Sequence, residues 1–371
     1  MTRGGAAGRY DESDVRIRPG KGTRPRSKRR PDHADARAAM VVGVDRGRRT
    51  CAPDDDPTAR VVAMRARELG RTPVVVGDHV DLVGDTSGAD DTLARIVRVG
   101  DRTSVLRRTA DDTDPYERVV VANASHLVIV TALADPTPRT GFVDRCLVAA
   151  YAGGLTPVLC LTKADLVDDG GAGFSSAYAE LDLPVVVTRL DEEPGGASGA
   201  TGGMGGASGA TGGMEALREV VTGRVSALIG HSGVGKSTLV NALVPDAERA
   251  VGEVSGVGKG RHTSTSAVAL ALPAGDGAER SSTRRSGGWV VDTPGIRSFG
   301  LAHISPDDVV AAFGDLATAV EDCPRGCSHL GPPADPECAL DPMVEAGTLS
   351  AGRLEALRRV LTALRTPAWE A

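Results

Sequence analysis

One nine-residue segment, Gly230-His231-Ser232-Gly233-Val234-Gly235-Lys236-Ser237-Thr238, restricts the fold of this chain more than any other. It matches G-x-x-x-x-G-K-[ST] in full, between an apolar run at 224–229 and a helical run at 239–243. Strand, glycine-rich turn and helix start, in that order, make a phosphate cradle. The glycines let backbone N–H groups fold around a phosphate chain, the helix N-terminus adds its dipole, and Lys236 reaches the outer phosphates. The Ser237 hydroxyl is then placed to ligate Mg²⁺. The surrounding sequence supplies the sheet that such a cradle needs. Residues 126–132, 157–162 and 184–188 are short apolar runs that read as buried strands, and 142–153 has helical spacing. Alternation of this kind predicts βαβ units on a parallel sheet covered on both faces.

Two further motifs select the nucleotide. Val290-Val291-Asp292-Thr293-Pro294-Gly295 is an apolar strand ending in D-x-P-G. Its Asp292 is suited to hold the water shell of Mg²⁺, and Gly295 lets a backbone amide approach the γ-phosphate. Thr162-Lys163-Ala164-Asp165 ends another strand and resembles the N-K-x-D guanine reader of GTPases. A carboxylate at Asp165 accepts both the ring N–H and the exocyclic amine of guanine, a pair adenine does not offer, while the Lys163 stem packs over the base. Thr162 stands where GTPases usually carry Asn, so a weaker tether to the phosphate loop is expected. The order is unusual, because the base reader precedes the phosphate loop. All the strands of a GTPase are present, so the chain reads as a circularly permuted one.

Between the phosphate loop and D-x-P-G lies Gly260-Arg261-His262-Thr263-Ser264-Thr265-Ser266, a composition suited to a switch loop. Thr263 or Thr265 is expected to complete Mg²⁺ coordination with GTP. Ile296 follows D-x-P-G, where Ras-like enzymes carry a water-orienting Gln. An isoleucine cannot orient water, so His262 becomes the candidate catalytic group beside Lys236. Near the C-terminus, Cys323, Cys327, His329 and Cys338 supply three thiolates and an imidazole, a donor set for a tetrahedral structural Zn²⁺. Cys51, Cys146 and Cys160 read as unrelated thiols.

The rest of the chain divides by composition. Residues 1–38 hold 11 Lys/Arg against five acids and almost no Val, Leu or Ile. They read as a disordered basic tail, either a nucleic-acid-binding arm or a solvated one. Residues 39–113 carry short β-branched runs with turns between them, which predicts a small OB-like β-barrel. That stretch contains no aromatic residue, so any RNA contact would fall to Arg95, Arg98, Arg102, Arg107 and Arg108 on phosphates. The expected GTPase domain runs from 114 to 300, and the zinc-binding and helical module from 301 to 371. Residues 195–214 repeat G-G-A-S-G-A-T-G-G-M twice and read as a flexible linker. A helix across 349–364 carries Arg353, Arg358, Arg359 and Arg365 and offers a basic face. No run of 18 apolar residues exists, which argues against a membrane span and, without a signal sequence, for a cytoplasmic protein.

Together the reader, G-x-S-G-V-G-K-S-T, G-R-H-T-x-T, D-T-P-G-I-R, the barrel segment and the Cys/Cys/His/Cys cluster resemble the ribosome small subunit-dependent GTPase A family. The resemblance covers the chain from about Val61 onward. It implies an α/β P-loop GTPase domain, circularly permuted, with an N-terminal OB-fold and a small C-terminal zinc module. It also implies GTP hydrolysis stimulated by the small ribosomal subunit during late maturation, contact with ribosomal RNA, a monomer, and use of the histidine in G-R-H-T, here His262. Two other classes stay open on residues alone. A P-loop kinase for a small metabolite has no reason to carry the reader or a zinc module. An RNA-binding scaffold with a dead nucleotide site has no reason to keep Lys236, Ser237 and Asp292.

Overall fold

The computed structural model describes residues 33–45, 47–70, 72–109, 112–113, 116–189, 211–245, 247, 251, 267–273, 287–294, 300–311, 313, 316 and 319–366. Five strands come first: β1 (Arg37–Asp45), β2 (Arg48–Pro53), β3 (Val61–Arg65), β4 (His79–Gly84) and β5 (Ala94–Val99). β1 pairs with β2 and β4, β2 with β3, and β4 with β5, all antiparallel, while β3 and β5 run parallel. The order 1-2-3-5-4 returning to 1 is a closed five-stranded barrel of OB type. Its interior is filled by Ala39, Val41, Cys51, Val61, Ala63, Val80, Leu82, Ala94 and Ile96. β3, β4 and β5 alternate buried and more exposed positions, whereas β1 is buried on both faces from Ala39 to Gly43, its Met40 and Val42 joining the main core.

Several sequence expectations change here. Arg37, counted with the basic tail, opens β1, because its guanidinium bonds both carboxylate oxygens of Asp55 at 2.9 and 3.0 Å. The run at 103–108 does not join the barrel. Its ordered part, β6 (Val105–Arg108), pairs with β7 (Arg118–Ala122) in a separate two-stranded sheet. The barrel closes without it through the pairing of β1 with β4.

The second sheet, continuous with the barrel through the pairing of Gly43 in β1 with Val268, holds β8 (His126–Ala132), β9 (Thr156–Thr162), β10 (Val185–Val187), β11 (Thr211–Gly212), β12 (Val225–Ile229), β13 (Val268–Ala271) and β14 (Trp289–Asp292). Their spatial order is β11-β10-β9-β8-β12-β14-β13, parallel except for β13. β8, β9 and β12 are apolar almost throughout, which fits strands covered on both faces. The covering helices include α1 (Thr140–Ala152), the short α2 (Ala172–Ser176), α3 (Gly213–Val221) and α4 (Lys236–Leu243). The duplicated segment is not linker to its end. Thr211 and Gly212 pair with Val186 and Val187, and Met214 packs on the core from the first turn of α3. An open strand edge at β10 and an apolar side chain gave those residues somewhere to bind.

Beyond β14 lie α5 (Pro306–Val310), α6 (Leu340–Glu345) and α7 (Ala351–Thr362). α7 packs on α1, α5 and α6. Its arginines do not form a free basic face. Arg353 donates to the Glu180 carbonyl at 2.6 Å, Arg358 to Asp341 at 2.8 Å, and Arg359 lies over the Tyr178 ring at 4.4 Å beside Asp144. Those cations dock the helix. Arg145 of α1, 1% exposed, extends the joint by donating to the Ala363 and Thr366 carbonyls at 2.8 and 2.5 Å and pairing with Asp112.

Candidate nucleotide site and metal centre

The phosphate loop leaves the C-terminal end of β12 and opens α4. Gly235 has φ +97°, a left-handed conformation that side-chain-bearing residues rarely adopt. A Cβ at Gly230 would lie 2.4 Å from the Val130 carbonyl oxygen, so the loop can approach β8 this closely only with glycine there. Lys236 is 8% exposed, and its Nζ donates to the Gly230 and His231 carbonyls at 2.7 and 3.0 Å. Burial lowers its pKa, against the raising influence of Asp292. Asp292 moves the other way: burial raises it and Lys236 pulls it down. The buried Lys236 and the half-buried Asp292 thus influence each other electrostatically at the mouth of the sheet. Ser237 and Thr238 stay exposed at the start of α4. The half-buried Asp292 carboxylate and the exposed Ser237 hydroxyl are oxygen donors of the kind a hard divalent cation takes.

Thr162 stands at the end of β9, and its hydroxyl donates to the Val234 carbonyl in the phosphate loop at 2.6 Å. The sequence suggested a weaker tether with threonine; the structure keeps it, short and buried. The turn after it is left-handed at Lys163 (φ 57°), and the Lys163 ammonium bonds the Asp135 carbonyl. Ala164 N–H donates to the Thr188 carbonyl at 3.3 Å, so the reader is also held from β10. Asp165 is exposed on this turn. Sequence reasoning overlooked three supports. Thr293 fastens the D-x-P-G strand by donating to the Leu228 carbonyl at 2.6 Å. Thr188 and Asp135 act through backbone carbonyls, which no side-chain motif reveals. His231 also has a role the motif leaves blank, since its ring lies 4.1 Å from that of Phe142. Burial, then the cations Arg139 and Lys236, lower its pKa. His262, Thr263, Thr265 and Gly295 lie outside the described residues.

The Cys323, Cys327, His329 and Cys338 ligand atoms all lie within 4.8 Å of one another. Burial raises the Cys323 thiol and pushes Cys327 up to about 12. Desolvated thiols this close resist deprotonation together unless a cation joins them. Backbone amides of His329 and Ala339 donate to Cys327 and Cys323 sulfur, each at 3.4 Å. Three sulfurs and one imbedded imidazole nitrogen therefore fit a four-coordinate metal ion. Cys51, Cys146 and Cys160 lie elsewhere, all buried; desolvation pushes Cys51 and Cys160 up to about 12 and Cys146 higher, so they are inert core thiols.

The arginines expected to meet RNA divide. Arg102 is held by Asp78 at 2.7 and 2.9 Å, Arg98 by Asp81 at 3.0 Å and Arg107 by Glu117 at 3.0 Å. Asp78 is fully buried, so Arg102 is a structural cation and not a free phosphate contact. Arg95 is exposed on β5.

This geometry agrees with what sequence and fold comparison return. Residues 99–198 and 207–302 match the family described as RsgA GTPase. The chain belongs to the RsgA GTPase family. Among RsgA relatives, the small ribosomal subunit biogenesis GTPase RsgA of Chlorobaculum parvum is 33% identical over 302 residues, covering 80% of this chain and 86% of that protein. The protein of the same name from Pseudomonas aeruginosa is 34% identical over 297 residues, covering 78% and 76%. Two solved structures share the fold. YjeQ from Thermotoga maritima aligns with TM-score 0.56 at 24% identity, over 89% of this chain and 99% of that one. YloQ, described as a circularly permuted GTPase, aligns with TM-score 0.57 at 19% identity, over 91% and 98%. GTPase activity follows from RsgA membership, and the permuted strand order agrees with it. Among the described residues, no helix is long and apolar enough to cross a membrane.

Proposed function

We propose that this chain binds the small ribosomal subunit and hydrolyses GTP to GDP and phosphate late in that particle's maturation, as an assembly or checkpoint factor stimulated by the subunit. The observation that carries the GTP assignment is the 2.6 Å bond from Thr162 to Val234. It joins the proposed guanine reader to the proposed phosphate cradle across β9, β8 and β12, with the reader preceding the cradle along the chain. The small-subunit assignment comes from the relatives' names.

In this reading Asp165 reads guanine, with Thr162 and Lys163 supporting it. The backbone of 230–235 and Lys236 hold the phosphates, and Ser237, Thr238 and Asp292 border the cation. Mg²⁺ held by Ser237 and Asp292 would neutralise charge on the phosphate oxygens. Thr263 or Thr265, with Gly295, would sense the γ-phosphate, and His262 would assist the attacking water. Cys323, Cys327, His329 and Cys338 would hold one structural zinc. Exposed barrel cations such as Arg95 would meet ribosomal RNA phosphates, and the protein would act as a cytoplasmic monomer.

The test is turnover of GTP and ATP by the full-length protein, with and without purified small subunits. GTP hydrolysis that rises on adding subunits, with ATP left intact, is the expected result. Equal turnover of both nucleotides would overturn the guanine assignment, and indifference to subunits the ribosomal one.

A further inference from the structure

Among the four metal-binding candidates, His329 is held from the most directions. Its backbone is left-handed at φ 59°, and its carbonyl accepts from Arg358 Nε at 3.2 Å. Its neighbours Ser328 and Leu330 both donate backbone amides to the Asp335 carboxylate, at 3.1 and 3.0 Å. The ring itself is 2% exposed. Nδ1 lies 3.5 Å from Cys323 Sγ and so faces the sulfurs. Nε2, across the ring, lies 3.1 Å from a carboxylate oxygen of Asp307.

Asp307 sits in the first turn of α5, and the needs of that helix do not explain its contact. The N-cap is Ser305, which forms a reciprocal capping box with Asp308: Ser305 N–H donates to Asp308 at 2.9 Å and Asp308 N–H donates to Ser305 Oγ at 3.3 Å. Capping therefore occupies Asp308 and leaves the Asp307 carboxylate facing the imidazole. With a carboxylate oxygen at hydrogen-bond distance, the geometry favours the tautomer that carries its proton on Nε2. Nδ1 then presents its lone pair to the three sulfurs, which is the tautomer a metal requires. A carboxylate behind a ligating histidine fixes the ring and raises its basicity.

We infer that Asp307 is a positioning residue for the metal centre, setting the tautomer and orientation of His329 from a helix that follows the D-x-P-G strand. As a bare surface ion pair the contact would contribute little, since Asp307 is 81% exposed. Its leverage comes through the buried ligand. The metal shell thereby includes a group from the chain between nucleotide site and cysteines.

The inference rests on the zinc reading, and one experiment separates the two. Full-length wild type, Asp307→Ala and Asp307→Asn are titrated with zinc against a chromophoric chelator. Failure of wild type to bind one zinc ion defeats the metal reading itself. Given wild-type binding, Asp307→Ala should bind about 10–100-fold more weakly. Asp307→Asn keeps an accepting carbonyl oxygen at the same place and should recover much of that loss. Side-chain nitrogen NMR of the zinc-loaded protein should show the Nε2 proton of His329 protected from solvent exchange in wild type and exchanging faster in the alanine variant. Wild-type zinc affinity in Asp307→Ala, or unchanged exchange of that proton, would overturn the inference. Should the alanine variant fail to fold, the isosteric Asn variant carries the same measurements, and a loss as large as full zinc release would also count against it.

Discussion

The Thr162 hydroxyl has a single proton to donate, and it goes to the Val234 carbonyl inside a buried junction. Removing the hydroxyl while keeping the shape, as in Thr162→Val, leaves that carbonyl without its donor. The expected cost is about 1–3 kcal/mol in stability, together with weaker GTP binding because reader and cradle are no longer fixed to each other. Thr162→Ser should restore both. Urea unfolding and titration with a fluorescent GTP analogue measure the two effects, and unchanged values in the valine variant would show that the tether is idle. Asp165→Asn acts on the base instead. Losing a matched polar contact to guanine should lower preference for GTP over XTP by about 10⁴-fold, read from competition binding. Asp165, Lys236 and Asp292 were legible in the sequence because each motif position demands one chemical type. Thr188 and Asp135 were not, since the groups they offer are backbone carbonyls that every residue carries. Asp307 was illegible for another reason: its role depends on a fold that returns residue 329 to the start of α5.

At the level of elements, α1 is the piece on which the C-terminal helices rest, and Arg145 is its deepest polar group. The guanidinium satisfies two carbonyls at the end of α7 and the Asp112 carboxylate, which also accepts the Leu301 amide at 2.9 Å. Arg145→Met leaves those acceptors buried and uncompensated. It should cost about 3–5 kcal/mol, seen as a lower urea midpoint, and adding Asp112→Asn should recover part of it. A loss under about 1 kcal/mol would mean that water reaches the cluster. Nothing in the local sequence announces this joint, because arginine in the middle of an apolar helix shows no partner until the fold supplies one. Strand runs in the second sheet were far easier to read. β8, β9 and β12 are buried on both faces and so are continuously apolar, whereas β1 and β2 mix Arg, Thr and Ala and give a weaker signal.

Across the whole molecule, three parts draw stability from different sources. The barrel has its own small apolar interior, the second sheet has the main core, and among the described residues the segment at 319–345 buries only the side chains of Ser328, His329, Cys338 and Leu340. That last part should depend on the proposed zinc. Stripping it with a strong chelator should remove amide-exchange protection across 319–345 while β8, β9 and β12 stay protected. Unchanged exchange there would show that packing against α7 suffices.

The position of β12 has a consequence for how the protein is made. It lies between β8 and β14, yet about 100 residues separate Ser125, beside β8, from Val225. A ribosome adds about 5–20 residues per second. For roughly 5–20 seconds, then, each newly emerging chain carries β8 with one of its edges bare, an apolar strand whose backbone groups seek a partner. Unlike a GTPase that begins with its phosphate loop, this one must protect a sticky edge during its own birth, and the sheet closes only when the phosphate-binding strand slides in.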